Sequence, residues 1–123
     1  KTANCLLDDH DGVKLGDFGI ARTLETSCST QTRPMGTMAY ICPDYLASGI
    51  LSPAVDIFGF GVVLLELVTG RGPERLRAAV ADEIEDHGSV SALVDASLPP
   101  PTDFRAEEIV DIAMSCLRDR ARH

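Results

Sequence analysis

The sequence lacks the patterns that would tie it to a metal cluster, a disulfide framework, a membrane or a nucleic acid. Its four cysteines, Cys5, Cys28, Cys42 and Cys116, include no C-x-x-C pair, and His10, His87 and His123 are not spaced as metal ligands. Reduced thiols in a cytosolic setting fit this usage better than disulfides or zinc. A basic surplus is missing as well: the formal net charge is -8, which repels phosphate backbones and anionic lipid and argues against both as general partners. Part of that acidity is concentrated in residues 82–86, which read as the solvated face of a helix. No apolar run reaches the ~20 residues of a membrane span. The longest, residues 57–68, carries Glu66 and reads as a core helix. There is no signal peptide, no initiator Met and no internal repeat. Lys1 reads as the middle of a longer chain, so the missing targeting segment says nothing about a parent.

What is present is a chain of 123 residues, about one domain, with enough apolar residues for a globular core. Residues 5–7 and 13–15 are short apolar segments flanking Asp8-Asp9-His10-Asp11-Gly12. The Asp-Gly pair tolerates positive φ, which predicts a small hairpin or a pair of short strands. Residues 23–32 are rich in Ser and Thr and show no period, as a functional or mobile loop would; residues 99–103 read more weakly as loop. Residues 43–47 fit one helical turn closed by Ser48-Gly49. Ser52-Pro53 is a helix start and Gly70 a helix stop, so a helix is expected from there to about Thr69. Its apolar residues go all the way round, which predicts burial on every side. Gly59 and Gly61 each weaken a helix interior by about 0.5–1 kcal/mol relative to Ala, and close packing by a neighbour is the expected compensation. An amphipathic helix is expected over residues 74–87, with Leu76, Ala79, Val80 and Ile84 inward and Gly88 as its stop. A further turn is expected near Val90, Leu93 and Val94. After an extended Pro99-Pro100-Pro101 link, Asp103 or Thr102 would cap a last helix whose stripe is Ile109, Ile112, Ala113, Cys116 and Leu117. The fold class is mainly α with a short β-hairpin near the N-terminus. One helix buried all round needs more neighbours than these residues supply, which hints at a fragment.

Asp17-Phe18-Gly19 alone is a weak signal. Its surroundings strengthen it: Lys1-Thr2-Ala3-Asn4 before it, the Ser/Thr loop after it, then Gly36-Thr37-Met38-Ala39-Tyr40-Ile41-Cys42-Pro43-Asp44 and Val55-Asp56-Ile57-Phe58-Gly59-Phe60-Gly61. The order and spacing resemble the second half of a eukaryotic protein kinase catalytic domain. "MGTMAYICPDYLASGILSPAVDIFGFGVVLLELVTG" is the most specific part and is similar to the Pelle / interleukin-1-receptor-associated kinase and receptor-like kinase group. The resemblance covers essentially all 123 residues. It implies a partial kinase C-terminal lobe. Residues 1–44 would be the end of the catalytic loop, the Mg-binding loop and the activation segment, and residues 45–123 the helical lobe.

Phosphoryl transfer concentrates negative charge on phosphate oxygens, so its site needs cations and hard oxygen ligands. By the resemblance, Asp17 and Asn4 would hold Mg²⁺ against the phosphates of ATP; for Asn4 the competing reading is a turn or capping side chain. Lys1 would steady the transferring phosphate and points to Ser/Thr specificity, although in an isolated fragment a solvated terminus is the stronger reading. Phe18 is expected to pack inward in a hydrophobic spine, and Gly19 to let Asp17 swing in or out. Thr37 would bridge the catalytic base and Lys1. Asp56 resembles the family's buried helix carboxylate that hydrogen-bonds the catalytic-loop backbone; a lone Asp in so apolar a helix is costly unless satisfied. Thr30 and Thr32, with Ser29 close behind, are candidates for regulatory phosphorylation near Arg22 and Arg33.

The family's Ala-Pro-Glu reads Cys42-Pro43-Asp44 here. Asp44 keeps the charge on a shorter stem, and its arginine partner would lie just past His123. Gly59 replaces a common Ser. The Gly-rich loop, the nucleotide-pairing lysine and its glutamate are absent, and the catalytic Asp would precede Lys1 by two residues. The resemblance thus implies a serine/threonine kinase segment that is inactive and poorly folded alone. Its setting would be cytoplasmic, within a soluble or membrane-attached parent, with protein substrates and signalling adaptors as partners and no membrane contact of its own. The alternatives are a pseudokinase scaffold acting by contacts alone and, more remotely, an unrelated helical interaction module.

Overall fold

The computed structural model describes residues 1–24, 29–99 and 105–118. The first apolar segments form strands β1 (Cys5–Leu7) and β2 (Val13–Leu15), paired antiparallel with Leu6 opposite Lys14. The turn between them is held by Asp8, whose Oδ1 accepts the N–H groups of His10 (3.0 Å) and Gly12 (2.8 Å). Those two bonds hold the Asp8 carboxyl below the usual carboxylate range. The left-handed residue of the turn is Asp11 (φ 60°) rather than Gly12, because the short carboxylate side chain tolerates that region.

The Ser/Thr-rich stretch is not wholly loop. Strand β3 (Thr30–Gln31) pairs antiparallel with β4 (Ile50–Leu51). A hydrogen bond from the Thr32 N–H to the Gly49 carbonyl (2.8 Å) extends the pairing. Helix α1 (Pro43–Ser48) starts on its proline and stops at Gly49, whose φ of 69° only glycine adopts readily.

Helix α2 (Pro53–Thr69) has the expected ends, with Pro53 in its first turn and Gly70 left-handed at its stop. Ser52 precedes it, but its side chain makes no capping bond. Burial on every side is not found. Phe58, Val62, Leu65 and Val68 are buried, whereas Phe60 is 54% and Leu67 57% exposed. The described neighbours, chiefly α4 and α3 (Leu76–His87) with the turns at residues 2–4 and 38–40, pack on part of the helix surface only. Helix α3 begins at Leu76, two residues later than expected. Leu76 and Val80 face the core and Ile84 stays at the surface. A 3-10 turn follows at Ser91–Leu93.

Helix α4 (Ala106–Cys116) lies against α2 in the most extensive helix contact among the described residues. Its capping candidates Thr102 and Asp103 fall outside the described residues; Arg105 occupies the N-cap position without a side-chain bond. The expected stripe is rotated. Val110, Ala113 and Leu117 are buried, and Ile112 is 53% exposed. Gly61 faces this helix: a Cβ there would stand 2.8 Å from Cys116 Cβ, 2.9 Å from the Ala113 carbonyl and 2.9 Å from Leu117 Cγ. The helices touch nearly backbone to backbone at this point. Fully buried Leu65, Val68, Val110 and Leu117 at this seam each stabilise the packing by about 1.5–3 kcal/mol.

Candidate functional site

The N-terminal turn sets the first half of the site. Residues Thr2–Asn4 form one 3-10 turn, in which the Asn4 N–H bonds to the Lys1 carbonyl (2.9 Å). The hairpin then returns the chain beside it: the Gly16 N–H donates to the Asn4 carbonyl at 2.8 Å. The next residue is Asp17, so a few ladder bonds place two residues 13 apart in sequence within reach. The Asn4 side-chain amide donates to Asp17 Oδ2 at 3.3 Å. Asp17 itself is left-handed, with φ 63°. Aspartate tolerates that region, as Asp11 does in the hairpin turn.

This pair suits a hard divalent cation. Mg²⁺ keeps several waters and needs only one or two carboxylates from the protein, the remainder coming from phosphate oxygens. Among the described residues no group of three His, Cys, Asp or Glu side chains converges, and a Mg²⁺ carried by phosphates needs no such group. A half-turn of the Asn4 amide exchanges its nitrogen for its oxygen, so the side chain that now donates to Asp17 can present Oδ1 beside Asp17 Oδ2.

The other candidates are dispersed. Lys1 is exposed. Thr37 is exposed, precedes the 3-10 turn Met38–Tyr40 and makes no side-chain bond to it, so the described structure does not join it to Lys1. Phe18 is 66% exposed rather than inward. Gly19 lies in open space: an added Cβ would approach only Asp17 Oδ1, at 3.7 Å. Asp56 is exposed and, among the described residues, its carboxylate has no partner, contrary to the buried, satisfied role expected of it. It sits on a side of α2 that these residues leave uncovered. Asp44, in the first turn of α1, is half-buried.

The phosphorylation candidates separate by environment. Thr30 is exposed on β3, and Ser29 is exposed beside it. Thr32 is half-buried, its hydroxyl 2.8 Å from Tyr45 Oη and donating to the Arg33 carbonyl at 3.1 Å. Arg22 and Arg33 are both exposed.

Sequence reasoning missed one cluster. Thr2 Oγ1 donates to Glu66 Oε2 at 2.5 Å, and Tyr40 Oη donates to the same oxygen at 2.7 Å. Burial pushes the Tyr40 hydroxyl above its ordinary value; the Glu66 carboxylate adds to the rise and the bond with Thr2 opposes it. The available signal was Glu66 itself, the one charge in the run from residue 57 to 69.

The family model described as "Protein kinase domain" matches residues 1–123. The putative proline-rich receptor-like protein kinase PERK11 of Arabidopsis thaliana is 39% identical over 138 residues, covering 98% of this chain and 19% of that protein. Proline-rich receptor-like protein kinase PERK15 of Arabidopsis thaliana is 40% identical over 134 residues, covering 100% of this chain and 26% of its own length. PERK3 of the same plant is 46% identical over 84 residues, covering 68% of this chain and 16% of that protein. The chain thus spans at most about a quarter of the length of these curated relatives.

Proposed function

The chain belongs to the protein kinase family, in its receptor-like kinase group, and on that premise we propose that it is part of a catalytic domain that transfers the γ-phosphate of ATP to Ser or Thr of protein substrates. Residues 1–44 would supply the end of the catalytic loop, the metal-binding loop and the activation segment, and residues 45–123 the helical lobe. The observation that carries this reading is the Asn4–Asp17 pair, 3.3 Å apart with Asp17 left-handed. When bound, Mg²⁺ would neutralise phosphate charge; Asp17 and Asn4 are the side chains that would hold it. Lys1 would add a cation beside the phosphates. Thr37 would contact the substrate side.

An open apolar groove floored by Phe58, Val62 and Leu65 and edged by Met38 and Arg75 runs beside the Thr37 turn, which supports a polypeptide substrate. Thr30 is the preferred regulatory acceptor, being exposed where Thr32 is engaged. The exposed apolar side chains of β1, β2 and α2 support a larger domain around this segment, and the isolated chain is expected to be inactive. Among the described residues no helix is long and apolar enough to cross a membrane, and the proposed setting is the cytoplasmic side, with adaptors as further partners.

The test is transfer of labelled phosphate from ATP by the full-length protein, followed by identification of the labelled amino acid. Phosphoserine or phosphothreonine is expected, with Asp17→Asn reducing the rate by about a hundredfold or more. A full-length protein that binds nucleotide yet transfers nothing would be a scaffold instead.

A further inference from the structure

We propose that Arg75 is a specificity residue: its guanidinium selects an acidic side chain on a polypeptide whose neighbouring apolar side chain seats in the groove beside the Thr37 turn. The inference rests on the kinase reading for taking that polypeptide as a substrate; the groove and the cation at its rim stand on geometry.

The groove has a volume of about 420 Å³, within the range of ligand sites. Its floor is apolar and closed, with Phe58, Val62, Leu65 and Leu76 all buried. Met38 forms one rim and is 67% exposed. An apolar side chain left that open beside a buried apolar floor gains from a seated partner.

The opposite rim carries positive charge. Residues 71–77 hold Arg71, Arg75 and Arg77, three of the 11 Lys and Arg residues in a chain of net charge -8. Arg75 and Arg77 both line the groove. Arg77 is half-buried and already engaged. Arg75 is exposed, and none of the ion pairs among the described residues includes it. Glu74 is the one acidic residue of the lining; its Oε2 turns back over the loop, 3.0 Å from where a Cβ on Gly72 would stand.

The backbone explains how the guanidinium comes to the rim. The Leu76 N–H bonds to the Pro73 carbonyl at 3.3 Å, and Arg75 takes φ 59° and ψ 9° at the start of α3. That turn puts Leu76 into the floor and leaves Arg75 at the mouth. The region favours glycine, and arginine has no short polar side chain to ease it. Residues held in such conformations cluster at ligand clamps. Arginine's planar fork matches a carboxylate with two parallel hydrogen bonds. The rest of the chain is acidic and disfavours an acidic peptide elsewhere, so the complementary charge fixes where and in which direction the peptide lies. Because Met38 follows Thr37, the selected acid would stand within a few residues of the phosphate acceptor.

The test uses the full-length protein and steady-state transfer to a peptide set. Each peptide carries one acceptor Ser and one apolar residue, with Glu, Gln or Lys moved through the neighbouring positions. At one position the Glu peptide is expected to exceed its Gln isostere about tenfold in kcat/KM, and raising the ionic strength should shrink that ratio. Arg75→Gly should abolish the difference between Glu and Gln while keeping or raising the urea midpoint, since glycine accepts φ 59° without strain. Arg75→Glu should turn the preference towards Lys; should it not fold, Arg75→Gly and the salt dependence decide. A purely structural Arg75 would instead lower the midpoint and depress all peptides alike, which would overturn the proposal. So would a wild-type protein that treats Glu and Gln alike at every position, as it would if the groove held a segment of its own parent chain, or a preference that survives in Arg75→Gly. If no peptide is phosphorylated at all, the kinase reading falls, and fluorescence anisotropy of the labelled Glu and Gln peptides on wild type and Arg75→Gly judges Arg75 by itself.

Discussion

Two glycines on one helix should respond in opposite ways to the same substitution. In α2, Gly61→Ala places a methyl group 2.8 Å from Cys116 Cβ, 2.9 Å from Leu117 Cγ and 2.9 Å from a backbone oxygen, that of Ala113. None of these atoms is the free end of a flexible chain, so α4 must move away from α2. Overpacking of this kind costs about 1–3 kcal/mol. Alanine recovers about 0.5–1 kcal/mol of helix propensity, so the clash wins and the net change is a loss of about 0.5–2 kcal/mol. In Gly59→Ala the new methyl meets only the Tyr40 carbonyl, at 3.6 Å, an ordinary contact. There the propensity term stands alone, and a gain of about 0.5–1 kcal/mol is expected. The assay is urea unfolding of the full-length protein followed by far-UV circular dichroism. At a slope of about 1–3 kcal/mol per molar urea, the two variants should straddle the wild-type midpoint. A Gly61→Ala protein as stable as wild type would refute the close approach of α2 and α4.

Three other outcomes follow from local geometry. The folded-state pKa of Tyr40 is raised, so the stability its neutral hydroxyl lends to the bond with Glu66 is fully present below pH 10 and is lost as pH rises through the raised value. The difference in tyrosinate absorbance between wild type and Tyr40→Phe should show a midpoint above 10, and Glu66→Gln should lower it part of the way. Thr32→Val should lose about 1 kcal/mol through the bonds to Tyr45 and Arg33, measured by the same urea unfolding, while Thr30→Val should stay within about 0.5 kcal/mol of wild type. Phosphopeptide mapping of the protein from cells should find Thr30 occupied in preference to Thr32.

The parts of the fold that were legible from the sequence are those whose signals are local. Pro53 and Gly70 mark the ends of α2, Gly49 and Gly88 stop α1 and α3, and the Asp-Gly turn announces the hairpin. Pairing of Thr30–Gln31 with Ile50–Leu51 was not legible, because a two-residue strand carries no period and its partner lies far along the chain. The rotated face of α4 escaped for a related reason: Ile112 and Val110 are equally apolar, and packing against α2, not the local pattern, decides which turns inward. At the site, Asn4 and Asp17 come together through backbone pairing of residues that resemble a known motif. Phe18, Asp56 and the Thr37 side chain are exposed and are not drawn into contacts of the expected kind among the described residues. The Thr2–Tyr40–Glu66 cluster is built from side chains on three separate elements, and local periodicity does not register such a meeting.

The central claim is that Asn4 and Asp17 jointly hold a divalent cation. Its most direct test is calorimetric titration of Mg²⁺ into the full-length protein in the presence of ADP, for wild type, Asn4→Ala and Asp17→Ala. Each substitution is predicted to weaken Mg²⁺ binding by at least about tenfold. Two folded variants that bind Mg²⁺ as tightly as wild type would contradict the account.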